Sequence, residues 1–188
     1  GVINVQDKDI IGSPIPEIAY GLTLNASYKG FDFNAFFQGV EGVDNYYGYR
    51  YFMEGMLRTF NFERRTLNRW TGPGTTNEIP RAVGADPADN ARESDRFIGD
   101  GSFLRARNIT LGYTVPDNAL SNFGNGFINR VRVYATAQNL FTITNYEGYD
   151  PEIGAQSNNP DQFSRGRGID NANYPQPRSF LFGVQVEF

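Results

Sequence analysis

The stretch EIAYGLTLNASYKGFDFNAFFQG, Glu17 to Gly39, holds two alternations that mirror one another across the dipeptide Lys29-Gly30. Before the dipeptide, Ile18, Tyr20, Leu22, Leu24, Ala26 and Tyr28 share one parity, and Glu17, Ala19, Gly21, Thr23, Asn25 and Ser27 the other. After it, Phe31, Phe33, Ala35 and Phe37 stand opposite Asp32, Asn34, Phe36 and Gln38. Successive side chains of a strand point to opposite faces, so each run is a strand with one apolar and one small or polar face. Lys-Gly between them is tight-turn chemistry, and the pair is expected to be a β-hairpin.

Three further stretches carry the same signal. In GSFLRARNITLGYTVP (Gly101–Pro116), Ile109, Leu111 and Tyr113 alternate with Asn108, Thr110, Gly112 and Thr114, although Arg105 and Arg107 break into the apolar parity. In INRVRVYATAQNLFT (Ile128–Thr142), Val131, Val133, Ala135 and Ala137 alternate with Arg130, Arg132, Tyr134, Thr136 and Gln138. The chain closes on PRSFLFGVQVEF (Pro177–Phe188), where Phe180, Phe182, Val184, Val186 and Phe188 fall on one parity. Strands are therefore expected over 17–28, 31–40, 101–115, 128–142 and 178–188, each near or above the roughly 9–11 residues that a tilted strand needs to cross a bilayer.

Composition agrees with β structure. Of 188 residues, 15% are aromatic and 21 are glycine, with neither cysteine nor histidine. Without those two residue types, a disulfide framework, thiolate metal sites and the usual nucleophile–base triads cannot be built, which argues against an enzyme. A net charge of −4 argues against a nucleic-acid partner. No run approaches the roughly 18 apolar residues of a membrane helix. That excludes helical spans only, because a membrane β-barrel keeps a polar parity and an unremarkable mean hydropathy.

The connections alternate in length. The first two strands are joined by two residues, and the third and fourth by the polar stretch DNALSNFGNGF (Asp117–Phe127). Long loops over about 41–100 and 143–177 separate the others. Short, long, short, long is the pattern of an outer-membrane barrel with periplasmic turns and extracellular loops, which puts the C-terminus in the periplasm. A soluble antiparallel sandwich also alternates, but a face as aromatic as Phe31, Phe33, Phe37, Phe180 and Phe182 would need a covering layer, and no helix is evident to supply one. Five strands cannot enclose a ligand-passing lumen, so on the membrane reading the chain is part of a barrel.

Several ordered motifs resemble the SusC/RagA family of TonB-dependent outer-membrane transporters. They are DGSFLRARNITLGYTVP (Asp100–Pro116), RVYATAQNLFTITNYEGYDPE (Arg132–Glu152), NRWTG (Asn68–Gly72) followed by IPR (Ile79–Arg81), and the terminal YPQPRSFLFGVQVEF. The upstream IIGSPIPEIAYGL and YKGFDFNAFFQG resemble the strand pair preceding that block. Departures are TGPGTTNE (Thr71–Glu78) in place of an acidic, proline-rich run, Phe103 in place of a tyrosine, and Ala106-Arg107 in place of leucine and lysine. The resemblance implies the C-terminal part of a barrel of about 22 strands, without its plug domain, in a Gram-negative outer membrane. It implies a SusD-like surface lipoprotein as lid, energy delivered through TonB by way of the plug, and oligosaccharide or peptide cargo. It also implies that the aromatic C-terminal strand is read by the barrel assembly machinery. Two other readings remain: a soluble or surface β-domain that binds carbohydrate, and a barrel fragment held as a client of assembly or secretion machinery.

Candidate contact residues follow from the loops. DNYYGYRYF (Asp44–Phe52) gathers Tyr46, Tyr47, Tyr49, Tyr51 and Phe52, which suit an interfacial aromatic girdle or a stacking platform for sugar rings. Trp70, the only tryptophan, with Tyr149 and Asp150 of the second loop, completes a possible cargo or lid contact. Phe180, Phe182, Val184, Val186 and Phe188 are assigned to barrel closure and sorting. The loop pieces GADPADN (Gly84–Asn90) and YDPEIGAQSNNPDQ (Tyr149–Gln162) could hold calcium, but neither has a spaced ligand pattern and turn chemistry explains both. No metal or cofactor is expected. Arg105 and Arg107 are expected near the membrane interface, or returned to the lumen by a β-bulge.

Overall fold

A computed structural model describes residues 3–59, 61–120, 127–154 and 166–188. Parts of the Asp117–Phe127 connection and of the Tyr149–Gln162 loop lie outside them. In chain order the strands are β1 (Ile18–Tyr28), β2 (Phe31–Glu41), β3 (Asp44–Tyr46), β4 (Ile98–Asp100), β5 (Phe103–Thr114), β6 (Arg130–Gln138), β7 (Thr142–Thr144) and β8 (Ser179–Glu187). Two single-turn helices, α1 (Arg50–Met53) and α2 (Asp117–Leu120), complete the regular structure with short 3-10 turns. No helix of the described residues is long and apolar enough to cross a membrane.

The chain forms two compact units. One is a single antiparallel sheet in the order β1-β2-β5-β6-β8, with β7 added beside β5. Each long strand pairs with the next long strand along the chain, so the sheet is a meander. Its first hairpin turns on Lys29 and Gly30, with φ of 47° and 87°. Two consecutive positive φ values are what a two-residue primed turn requires, and glycine carries the second without a Cβ penalty.

Register aligns the parities across all five strands. Phe33 lies between Ala26 and Leu111, Leu111 pairs with Ala135, and Ala135 with Phe182. One face thus collects the apolar positions of β1, β2, β5, β6 and β8. These side chains stay exposed: Phe182 at 82% and Phe180 at 60%, with Leu22, Tyr28, Phe31 and Val184 also open. The opposite face carries Asn25, Asn34, Thr110 and Thr136, with Asn34 donating to Asn25 at 2.7 Å and the two threonine hydroxyls 2.8 Å apart.

The two arginines that break the β5 pattern are resolved by a bulge. Phe36 pairs with Asn108 and Phe37 with Ala106, so Arg107 is an extra residue in β5. The insertion shifts the parity of everything before it, which moves Arg105 off the apolar face and puts Ala106 and Leu104 there instead. Of the two sequence-level expectations, the bulge is therefore the one observed, and it turns the cations to the polar face. Arg107 donates through Nε to Gln38 at 2.8 Å, and Arg105 through Nε to Thr142 at 2.8 Å. The expected 128–142 strand is interrupted at the same level. Asn139 takes a φ of 49°, its N–H and that of Leu140 donate to the carbonyls of Arg107 and Ala106, and pairing resumes in β7.

The second unit comprises 1–15, 43–101 and 146–174. Its regular pairing is small: β3 against β4, plus a parallel bridge between Tyr46 and Ile169. Both long connections enter it. Its buried side chains mix Val43, Met56, Ile79 and Phe97 with a polar set that includes Asn45, Arg50, Glu54 and Asp170.

Candidate functional site

In the sheet unit the polar face carries one ion pair of note. Arg132 on β6 donates to Asp32 on β2, Nε to Oδ1 at 2.9 Å and Nη2 to Oδ2 at 2.5 Å, the two-pronged geometry that favours arginine over lysine. The pair reaches from β2 to β6 across β5, and the residue beneath it is Gly112. A Cβ there would lie 2.4 Å from Asp32 Oδ1 and 2.5 Å from Arg132 Nη2. Beside it Arg130 faces Glu187 at 3.5 Å, a second ion pair on this face.

The closure residues lie where their alternation placed them on the sheet. Phe180, Phe182, Val184 and Val186 pair with Ala137, Ala135, Val133 and Val131. Phe188 follows the strand, its ring 5.8 Å from that of Phe127. Among the described residues no strand pairs with the outer edges of β1 and β8.

In the loop unit a buried carboxylate organises the first long connection. Glu54, 2% exposed, meets Arg50 at 3.1 Å, Arg65 at 3.2 Å and Arg96 at 3.1 Å. Burying a charge is costly unless it is paired, and three guanidinium groups supply that pairing. Arg50 also pairs with Glu147 of the second long connection and lies 3.7 Å from the centroid of the Tyr47 ring. Arg65 reaches Glu147 at 3.0 Å. Tyr47 stacks on Tyr146 with centroids 4.8 Å apart and planes 14° from parallel. Tyr146 donates its hydroxyl to Asp170 at 2.7 Å, and Asp170 accepts in turn from the backbone of Ala172 and Asn173. Burial and the Asp170 carboxylate push the Tyr146 phenol far above its ordinary range, so it stays a donor.

This arrangement separates the sequence-level contact residues. Tyr47, 2% exposed, and Asp150, also buried, belong to the packing of the unit; Asp150 accepts from the Glu152 N–H at 3.0 Å. Tyr46 donates its N–H to Gly168 and sets its ring 5.8 Å from Phe97. Trp70 is half-buried and ties to Ile79 through its backbone at 2.9 Å. Tyr49 and Tyr149 come together on one cavity of about 340 Å³, with Phe52, Glu63, Glu147 and Asn171. Tyr149 is 70% exposed there. Burial raises the Tyr49 phenol to about 12 and lifts the Glu63 carboxyl above its usual value, with Glu54 adding to the latter shift.

Sequence reasoning passed over Glu54, Glu63, Glu147, Tyr146 and the arginines around them. Only Arg50 and Glu54 had a local signal, the i,i+4 spacing of opposite charges. The others meet over sequence separations that no spacing rule reports. Among the described residues no cluster of acidic side chains suits a metal ion.

An antiparallel meander with an exposed apolar face shared by five strands and a polar face that carries paired charges has the pattern of membrane β-barrel wall. Comparison with known proteins specifies which kind. No family model matches the chain. TonB-dependent receptor P3 of Formosa agariphila is 32% identical over 190 residues, 100% of this chain and 18% of that protein. TonB-dependent receptor SusC of Bacteroides thetaiotaomicron is 32% identical over 188 residues, again 100% of this chain, and 17% of that protein. The solved RagAB peptide transporter aligns with a TM-score of 0.76 at 30% identity, over 95% of this chain and 18% of that one. The RagAB peptide importer in its closed-closed state gives 0.75 at 31%. The chain is homologous throughout to the SusC-type TonB-dependent receptors and matches their outer-membrane barrel region. It spans under a fifth of the length of these relatives.

Proposed function

We propose that the chain is the C-terminal wall segment of an outer-membrane nutrient importer of the SusC/RagA type. On this reading the five long strands are part of a barrel of about 22 strands with a plugged lumen. The apolar face meets lipid, and the polar face meets the plug and the transport path. The two long connections are extracellular, where they contact cargo and a SusD-like lipoprotein lid, and β8 ends in the periplasm. Energy arrives through TonB acting on the plug, and cargo is an oligosaccharide or a peptide; the similar RagAB protein is a peptide importer. The terminal strand serves both to close the barrel and to be recognised by the assembly machinery.

The observation that supports this reading most directly is the apolar face shared by five strands, with Phe180 and Phe182 standing open at its edge. Soluble proteins rarely leave so large a patch uncovered. The chain has no cysteine, so single cysteines can report on each face. Nitroxide labels at positions 180, 182 and 184 of the full-length protein in membranes should collide with dissolved oxygen and be shielded from a water-soluble nickel chelate. Labels at 181 and 185 should show the reverse. Nickel reaching all five positions alike would replace the importer with a soluble carbohydrate-binding domain.

A further inference from the structure

We infer that the loop-unit cavity bounded by Tyr49, Phe52, Glu63 and Tyr149 is a subsite for a positively charged group of a peptide cargo, a lysine or arginine side chain or an amino terminus. The inference rests on the importer reading and adds the chemical class that this site selects. Its first support is the distribution of charge. Glu54 is compensated by Arg50, Arg65 and Arg96 at 3.1–3.2 Å, and Glu147 by Arg50 and by Arg65, the latter at 3.0 Å. Glu63 is different: among the described residues no ion pair reaches its carboxylate, although it is half-buried on the cavity wall. Burial, with Glu54 and Glu147, raises its pKa against the opposing pull of Arg50 and Arg65.

The second support is the aromatic rim. Tyr149 and Phe52 line the cavity and stand 70% and 51% exposed, with the Phe52 ring edge-on to Tyr51 at 4.9 Å. A cation over an aromatic face and beside a carboxylate is held by both the ring quadrupole and the charge. A neutral sugar could stack on the same rings, but it would bring no charge to pair with the Glu63 carboxylate. The volume, about 340 Å³, accommodates the end of one residue and not an oligomer, which makes this a subsite of a longer path.

The test is binding to the purified full-length transporter, read by calorimetry with three probes. These are glycyl-lysyl-glycine blocked at both ends, the same peptide acetylated on the lysine amine, and maltotriose. The lysine peptide should bind, the acetylated form should bind about tenfold more weakly, and Glu63→Gln should remove that difference by weakening only the charged probe. Tyr149→Ala, at an exposed position, should weaken the charged probe without affecting folding. Equal binding of the charged and acetylated peptides, no binding of the lysine peptide, or an unchanged affinity in Glu63→Gln would each overturn the subsite. A preference for maltotriose that depends on Glu63 would overturn it in favour of a sugar site. These outcomes leave the importer reading standing, since that reading fails on the spin-label accessibility of the sheet.

Discussion

Arg107 shows how one residue can change the meaning of a strand. An arginine facing lipid near the bilayer midplane costs about 2–4 kcal/mol. As the extra residue of a bulge, Arg107 instead reaches Gln38, and the parity shift it creates carries Arg105 to the polar face too. Gly112 plays the complementary part by omission, because the Asp32–Arg132 pair crosses β5 through the space its side chain would fill. Gly112→Val should displace that pair and destabilise the sheet by about 1–3 kcal/mol, the range for overpacking a filled site. Urea unfolding of the detergent-solubilised full-length protein measures it. In an Asp32→Asn, Arg132→Gln background the same substitution should cost clearly less, because the charges it displaces are already gone.

At the scale of the element, β8 is the most revealing strand. It alternates Phe180, Phe182, Val184 and Val186 against Ser179, Leu181, Gln185 and Glu187, and it pairs along its whole length with β6. Phe182 sits at its centre opposite Ala135 and is the most open of these side chains. Phe182→Arg should therefore lower barrel stability by about 2–4 kcal/mol and reduce the folded fraction recovered in outer membranes. The same arginine at Gln185, on the polar face, should leave that fraction close to wild type. Equal losses at the two positions would mean that the faces are not lipid and water. The turn elements are no less specified: Lys29 and Gly30 adopt the φ values of a primed turn, and that turn sets the β1–β2 register.

At the scale of the whole molecule, the two units are held by different physics. The sheet is stabilised by ladder hydrogen bonds and cross-strand pairs. The loop unit depends on Glu54 and its three arginines, on the Tyr47–Tyr146 stack, and on Arg50 joining the first long connection to Glu147 of the second. Glu54→Ala would remove the buried carboxylate that Arg50, Arg65 and Arg96 share and leave Arg50 and Arg65 with the exposed Glu147, a loss of about 3–5 kcal/mol. Limited proteolysis of intact outer membranes should then cut within 43–101 and 146–174, while the amount of inserted barrel stays unchanged. Loss of insertion would mean instead that the loops take part in folding the sheet.

What could be read from the sequence alone was whatever depends on neighbours along the chain. Period-two alternation marked the strands, Lys29-Gly30 the hairpin, and the rhythm of short and long connections the barrel-like meander, because each follows from local backbone geometry and the solvent on either face. The bulge at Arg107 was legible only as a broken pattern, since which residue becomes the extra one depends on how β2 and β6 register against β5. The polar core of the loop unit and the cavity with Glu63 were decided by tertiary structure. Arg50 and Glu147 lie 97 positions apart, and nothing in either local sequence announces the other. Charges in a loop read as solvated surface until the fold removes the water around them and makes a partner, or the lack of one, matter.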